Sequence, residues 1–149
     1  MPEIITQKIQ INGVPIEIFK ELVTWSEAPW WPEKCPMKIT NTTGSIDVGT
    51  GYNLIVDMPM GPKWKATNRI IDRKNLYLRR DFFEGDLEGF EEATVTPDEN
   101  GYSDIVYTFA AEVKGMLGRF FWKQAGKKLH EKNIEEILRS LKKYIERKK

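Results

Sequence analysis

Apolar positions along this chain follow two periods, and the switches between them divide it into elements. From Ile4 to Ile11 the pattern alternates, with Ile5, Gln7, Ile9 and Ile11 on one face, which predicts a strand ended by Asn12-Gly13. Val14 to Val23 changes to helical spacing at Ile16, Phe19, Leu22 and Val23, with Pro15 placed for a helix start. Trp25 to Pro36 (WSEAPWWPEKCP) is too rich in proline for a long regular element and predicts a second short helical turn and a packed loop. Alternation then returns in short runs: Met37–Thr43, Tyr52–Met58, Lys63–Ile71, Leu76–Phe83, Gly89–Thr96 and Tyr102–Val113. Turn sequences such as Pro59-Met60-Gly61-Pro62 and Pro97-Asp98-Glu99-Asn100-Gly101 separate them. Strands arriving every 8–12 residues or so are those of hairpins, so the sheet should be antiparallel.

Leu117 to Lys149 is helical again, with Leu117, Phe120 and Phe121 first, then Ile134, Ile137, Leu138, Leu141 and Ile145. At about 1.5 Å per residue such a helix could reach roughly 50 Å. The early residues Leu117, Phe121 and Ala125 point in a different direction from Ile134, Ile137 and Leu141. A bend is therefore expected near Gly126, a poor helix former, with the first half lining a cavity and the second sealing the core. The order of elements is strand, two short helices, about six more strands and one long helix. That is an α+β arrangement in a single domain, 1–149. An open antiparallel sheet needs one face covered, and the long helix is the element able to do it.

Strand alternation assigns the inward face. Ile105, Tyr107, Phe109, Ala111 and Val113 share one face of the last strand. Tyr52, Leu54, Val56 and Met58 do so in their strand, as do Trp64, Ala66, Asn68 and Ile70, and Leu76, Leu78, Arg80 and Phe82. Placing Ala93 and Val95 inside brings Glu91 with them. The inward set is apolar and aromatic, yet it includes Asn41, Asn68, Arg80, Glu91 and Tyr107. A buried charge is costly without a partner, so Arg80 and Glu91 should pair, be turned out by a bulge, or orient the polar end of an apolar ligand. His130 lies on the stripe of Ile134, Ile137 and Leu141, facing the sheet, as a core-edge histidine, a pocket donor or an acid–base group.

Composition narrows the function. With 40% apolar and 30% charged residues the chain can build an ordinary core, and no apolar run is long enough to span a membrane. The N-terminus lacks a signal-peptide pattern and Cys35 is a lone cysteine, so a reducing, cytoplasmic setting is expected. The net charge of +1 hides an asymmetry: residues 114–149 hold 12 Lys/Arg against 4 Asp/Glu. Glu131, Glu135, Glu136 and Glu146 interleave with those cations. This favours a solvated helix face over a nucleic-acid or anionic-membrane surface. Trp25, Trp30, Trp31, Trp64 and Trp122 are core aromatics or stacking platforms, without the interleaved basic groove of a single-strand binder. One histidine gives no metal site, Gly49-x-Gly51 is no phosphate loop, and Ser26, Ser45, Ser103 and Cys35 lack a nucleophile elbow.

The sequence resembles the START-like, helix-grip superfamily, in its polyketide cyclase/dehydrase and lipid-transport branch. The resembling residues are the opening strand with Val14-Pro15-Ile16-Glu17-Ile18-Phe19, the Trp25 and Pro29-Trp30-Trp31 cluster, Gly49-Thr50-Gly51-Tyr52 entering a strand, and the Gly115 junction. The resemblance implies a curved sheet of about seven strands gripping the terminal helix, with a cavity between them for an apolar small molecule. Its expected lining is Trp31, Tyr52, Trp64, Asn68, Arg80, Glu91, Tyr107, Phe109, Phe121 and His130. A hydrophobic or amphipathic ligand (lipid, quinone or aromatic polyketide) is the leading expectation, with no cofactor, nucleic acid or membrane insertion. Cyclase or dehydratase chemistry through Arg80, Glu91, Tyr107 or His130 is the alternative. A third possibility is a protein-interaction module like the chaperone-activator relatives.

Overall fold

The computed structural model describes residues 3–25, 28–44, 46–59 and 61–148. Its strands are β1 (Glu3–Ile11), β2 (Met37–Asn41), β3 (Gly51–Val56), β4 (Lys63–Asp72), β5 (Tyr77–Gly85), β6 (Leu87–Pro97) and β7 (Ser103–Val113). They form one antiparallel sheet in the order β1-β7-β6-β5-β4-β3-β2. Strands β2 to β7 are a meander. After β1 the chain crosses to the far edge through α1 (Pro15–Thr24), with Pro15 in its first turn. The second helical turn expected after α1 overlaps Ser26 and Glu27, outside the described residues. Ala28 to Pro36 forms turns, closed by bonds from the Trp31 amide to the Ala28 carbonyl and from the Cys35 amide to the Pro32 carbonyl, each 3.2 Å.

The terminal helix runs as α2 (Met116–Phe121), a π-helical turn (Trp122–Gly126) and α3 (Lys127–Arg147). The sheet curls around it, giving an α+β helix-grip fold. Burial of His130, Ile134, Ile137, Leu138, Leu141 and Ile145 fixes which face of α3 meets the sheet. Each of the aliphatic ones is worth about 1.5–3 kcal/mol relative to exposure. Polar clamps hold α3 along β1: Gln7 Nε2 donates to the Glu131 carbonyl at 2.6 Å, and Lys142 Nζ to the Gln10 carbonyl at 2.7 Å.

Expected positions differ in three places. In α1 the buried face is Ile18, Phe19, Leu22 and Val23, while Ile16 is half exposed, because α1 packs on the face centred one residue later. Ile70 is exposed. A register shift leaves Arg69 as the extra residue between the pairs Asn68–Arg80 and Ile70–Arg79, which reverses the alternation and turns Ile71 inward instead. At the start of the terminal helix, Leu117 and Ala125 face solvent and Trp122 and Gly126 are buried. The π turn falls where a bend was expected, and it resets the helical phase so that the inward residues are not those of a continuous α-helix.

Candidate functional site

The inward residues of the sheet fall into two adjacent layers, one polar and one aromatic. In the polar layer, Asn68 of β4, Arg80 of β5 and Glu91 of β6 stand directly opposite one another in register. Tyr107 of β7 is diagonal to Glu91. Arg80 Nε donates to Asn68 Oδ1 at 3.1 Å, and Nη1 lies 3.4 Å from Glu91 Oε1. Arg80 Nη2 donates to the Leu22 carbonyl at 2.7 Å. That carbonyl lies in the last turn of α1, where backbone oxygens lack helical partners and the helix dipole favours a cation. Glu91 Oε2 accepts from the Tyr107 hydroxyl at 2.5 Å, and Asn68 Nδ2 donates to the Tyr52 hydroxyl at 3.0 Å.

Every member of this network is buried: Arg80 is 3% exposed and Glu91 1%. Trp25 covers it, stacking on Tyr107 at 6.3 Å and lying 5.1 Å from the Arg80 guanidinium. The Trp25 backbone is held at φ 42, a conformation that strains a non-glycine residue. Burial, reinforced by the Glu91 carboxylate, pushes the Tyr107 hydroxyl well above its ordinary pKa, so it acts as a donor at neutral pH. Of the expected site residues, Tyr52, Asn68, Arg80, Glu91 and Tyr107 are thus brought together, but they satisfy one another. Trp31, in the α1–β2 connection, does not join the network: it packs edge-on against Trp25 at 5.2 Å, and its Nε1 donates to the Met37 carbonyl at 3.1 Å.

Beside it along the strands lies the aromatic layer: Phe82 of β5 and Phe109 of β7, one inward position from Arg80 and Tyr107, and Trp64 of β4, two from Asn68, with Trp122 and His130 above them. The His130 ring is 4.2 Å from that of Phe109, 5.8 Å from Trp122 and 6.4 Å from Trp64. Val56, Pro62, Phe121, Trp122, Gly126, Leu129, His130 and Asn133 enclose a crevice here. Its free volume is about 10 Å³, the room of about one water molecule. Where a cavity was expected under the helix, the described residues leave this narrow crevice.

Its chemistry is nevertheless unlike that of a sealed core. Trp64 Nε1, Trp122 Nε1, His130 Nε2 and Asn133 Nδ2 are buried and have no hydrogen-bond partner among the described residues. Each such group costs about 1–3 kcal/mol relative to a satisfied one. Outside this layer the indole Nε1 of Trp25 shares that condition. Burial pulls the His130 pKa down to about 4, so the imidazole is neutral at pH 7. His130 therefore does not join Arg80, Glu91 and Tyr107 in one acid–base constellation. Pattern reading missed Trp122 and Asn133 as lining residues. Asn133 follows His130 by three positions, a spacing that could have pointed to it.

Other candidate chemistry resolves structurally. Ser103 Oγ donates to the buried Gly13 carbonyl at 2.8 Å. Cys35 is fully buried and its thiol pKa is raised by that burial. Ser26 and Ser45 lie outside the described residues. Among the described residues, no group of three or more His, Cys, Asp or Glu side chains is placed to hold a metal. No described helix is long and apolar enough to cross a membrane.

No family model matches the chain, and no curated protein matches it by sequence. Solved structures do match its fold. The protein TTHA0849 from Thermus thermophilus superposes with a TM-score of 0.77 at 16% identity, over 96% of this chain and 97% of its own. The ZhuI aromatase/cyclase from Streptomyces sp. R1128 gives 0.76 at 12% identity, over 99% and 95%. A START superfamily protein from Mycobacterium smegmatis gives 0.69 at 12% identity, over 98% and 99%. With the strand order, the α1 crossover and the gripped terminal helix matched across nearly its whole length, the chain has the START-like fold.

Proposed function

We propose that this protein binds a hydrophobic or amphipathic small molecule between the aromatic layer of the sheet and the α2–α3 segment. The observation that carries the reading is the set of unpartnered buried groups on Trp64, Trp122, His130 and Asn133. Ligand sites are mostly apolar with a few placed polar atoms, and this layer has that composition. Three of the four groups are obligate donors, which suits a carbonyl, ether or other acceptor on the ligand. Similarity of fold to a START superfamily protein and an aromatase/cyclase agrees with the reading.

A ligand of ordinary size needs a few hundred Å³, so the roof must move outward. The π turn is the part of the roof that can do so, since π turns are strained insertions in a helix. The polar layer would stay as it is. It holds the sheet's curvature beside the site and offers the ligand no free group.

A second reading, cyclase or dehydratase chemistry in the same place, draws on the neutral imidazole with an unused Nε2 at His130, able to take a proton from a bound substrate. Native mass spectrometry of protein purified without organic solvent tests the binding reading. A bound adduct of a few hundred daltons is expected, and Trp122→Ala should lose it. Absence of any adduct, together with no uptake of fluorescent fatty-acid or naphthalene probes by the folded protein, would reject it.

A further inference from the structure

Most exposed apolar side chains here stand alone on separate elements, such as Val48, Ile70 and Phe83, which is normal for a protein surface. The α2 segment is different. Met116 is 86% exposed, Leu117 73% and Phe120 66%, three large apolar residues within five positions on adjacent turns. None of the six α2 residues is buried. Packing therefore does not explain why these residues are apolar, and a six-residue helix has little stability of its own.

Along the chain the charge beside them is one-sided. Between positions 114 and 128 the chain carries Lys114, Arg119, Lys123, Lys127 and Lys128 and no acidic residue. Lys114 is 3.5 Å from Glu88 and Lys127 3.6 Å from Glu3, both half-exposed pairs that salt weakens. Glu3 and Glu112 border the groove beside α2. Among the described residues, Arg119, Lys123 and Lys128 have no ion-pair partner. The result is an exposed apolar tip flanked in sequence by three cations without an ion-pair partner, of which Arg119 and Lys123 share its groove. A nucleic acid would engage the cations and leave the tip in water, whereas a bilayer with anionic headgroups engages both.

We infer that the α2 face is a docking surface for an anionic lipid bilayer. Met116, Leu117 and Phe120 enter the headgroup–acyl boundary, and Arg119, Lys123 and Lys128 meet the headgroups. The next residues of the chain, Phe121 and Trp122, line the inner crevice, so docking brings the roof of the aromatic layer against the lipid. The inference does not rest on what that crevice binds, because the surface is complete without it.

Co-sedimentation of the purified chain with vesicles tests it directly. Binding is expected with mixed phosphatidylcholine–phosphatidylserine vesicles, little with phosphatidylcholine alone, and release at high salt. The double change Leu117→Ser/Phe120→Ser should weaken partition by about tenfold or more. Lys123→Gln, which removes one charge, should cost about fivefold. All these positions are exposed, so the variants should keep the wild-type melting temperature, and a binding loss without a melting shift is the decisive pattern. Failure of the wild-type chain to sediment with the mixed vesicles would overturn the proposal. So would a dimer in free solution that Leu117→Ser converts to monomer, since the face would then belong to a second copy. Neither result touches the adduct measurement that tests ligand binding.

Discussion

Replacing Arg80 by Met should destabilise the fold by about 3–5 kcal/mol, the cost of leaving one member of a buried ion pair uncompensated. The structure makes the size specific. Arg80 loses its bonds to Asn68 Oδ1, the Leu22 carbonyl and Glu91, and Glu91, only 1% exposed, keeps the Tyr107 hydroxyl alone. Against a typical total stability of about 5–15 kcal/mol this is a large share. Glu91→Gln preserves shape and an acceptor for Tyr107, so it should cost less, about 1–3 kcal/mol. The double variant carries neither charge. It should be more stable than the sum of the single effects implies, by about 1–3 kcal/mol. Urea unfolding followed by tryptophan fluorescence measures all four proteins, since Trp25 sits on the network. A single-variant cost for Arg80→Met below about 1 kcal/mol, or strictly additive effects, would refute the claim that Arg80 and Glu91 form one coupled buried unit.

His130 predicts a pH dependence. Its pKa falls from 6.5 unfolded to about 4 folded, so between these values the unfolded chain binds the extra proton, and stability drops as pH falls through that window. About 3 kcal/mol present above pH 6.5 should be lost by pH 4. Denaturant midpoints across that window should fall less steeply for His130→Leu than for wild type, and an unchanged slope would assign the effect to another group. Gly89→Ala should be severely destabilising, because at φ 150 its added Cβ would lie 2.1 Å from the Ala110 carbonyl oxygen. Gly118→Ala in α2 meets only Val113 Cγ1, at 3.2 Å, and should leave the melting temperature nearly unchanged. Cys35 should react with a thiol reagent only as fast as the fold opens, since the thiol is 0% exposed and its pKa is raised; rapid labelling of native protein would contradict its placement.

What the sequence carried about the fold was local. Alternation placed the seven strands and helical spacing the long helix, because each strand or helix face meets the core along its whole length. In β4 and in the terminal helix it failed because an inserted residue had changed the phase. Arg69 bulges out of β4 and turns Ile70 to solvent, and the π turn at Trp122–Gly126 exchanges Leu117 and Ala125 for Trp122 and Gly126. Nothing in the composition around Arg69 marks such an insertion, and Gly126 marked a bend in the terminal helix without marking the change of phase. Of the candidate site, the inward polar residues were legible but their mutual satisfaction was not. Arg80 finds Leu22 58 residues away in sequence, and Glu91 finds Tyr107 across a register that only the folded sheet defines.

The two layers then explain why polar residues one step apart behave so differently. Arg80 and Phe82 are successive inward residues of β5, as Tyr107 and Phe109 are of β7. The Arg80 layer faces α1, whose last turn offers the Leu22 carbonyl and whose following residue, Trp25, lays a ring over the charge. Asn68, Arg80, Glu91 and Tyr107 each have something fixed to bind, and the layer is rigid. The Phe109 layer faces the π turn and the first turn of α3, where the main-chain groups are engaged in the helix and offer the inward side chains nothing. Trp122, His130 and Asn133 therefore point polar atoms at a surface of rings. Opening this layer exposes groups that gain by solvation or by a ligand, whereas opening the other breaks an ion pair. The cheaper motion is at the α2–π segment, which is also the part of the helix whose outer face is left apolar.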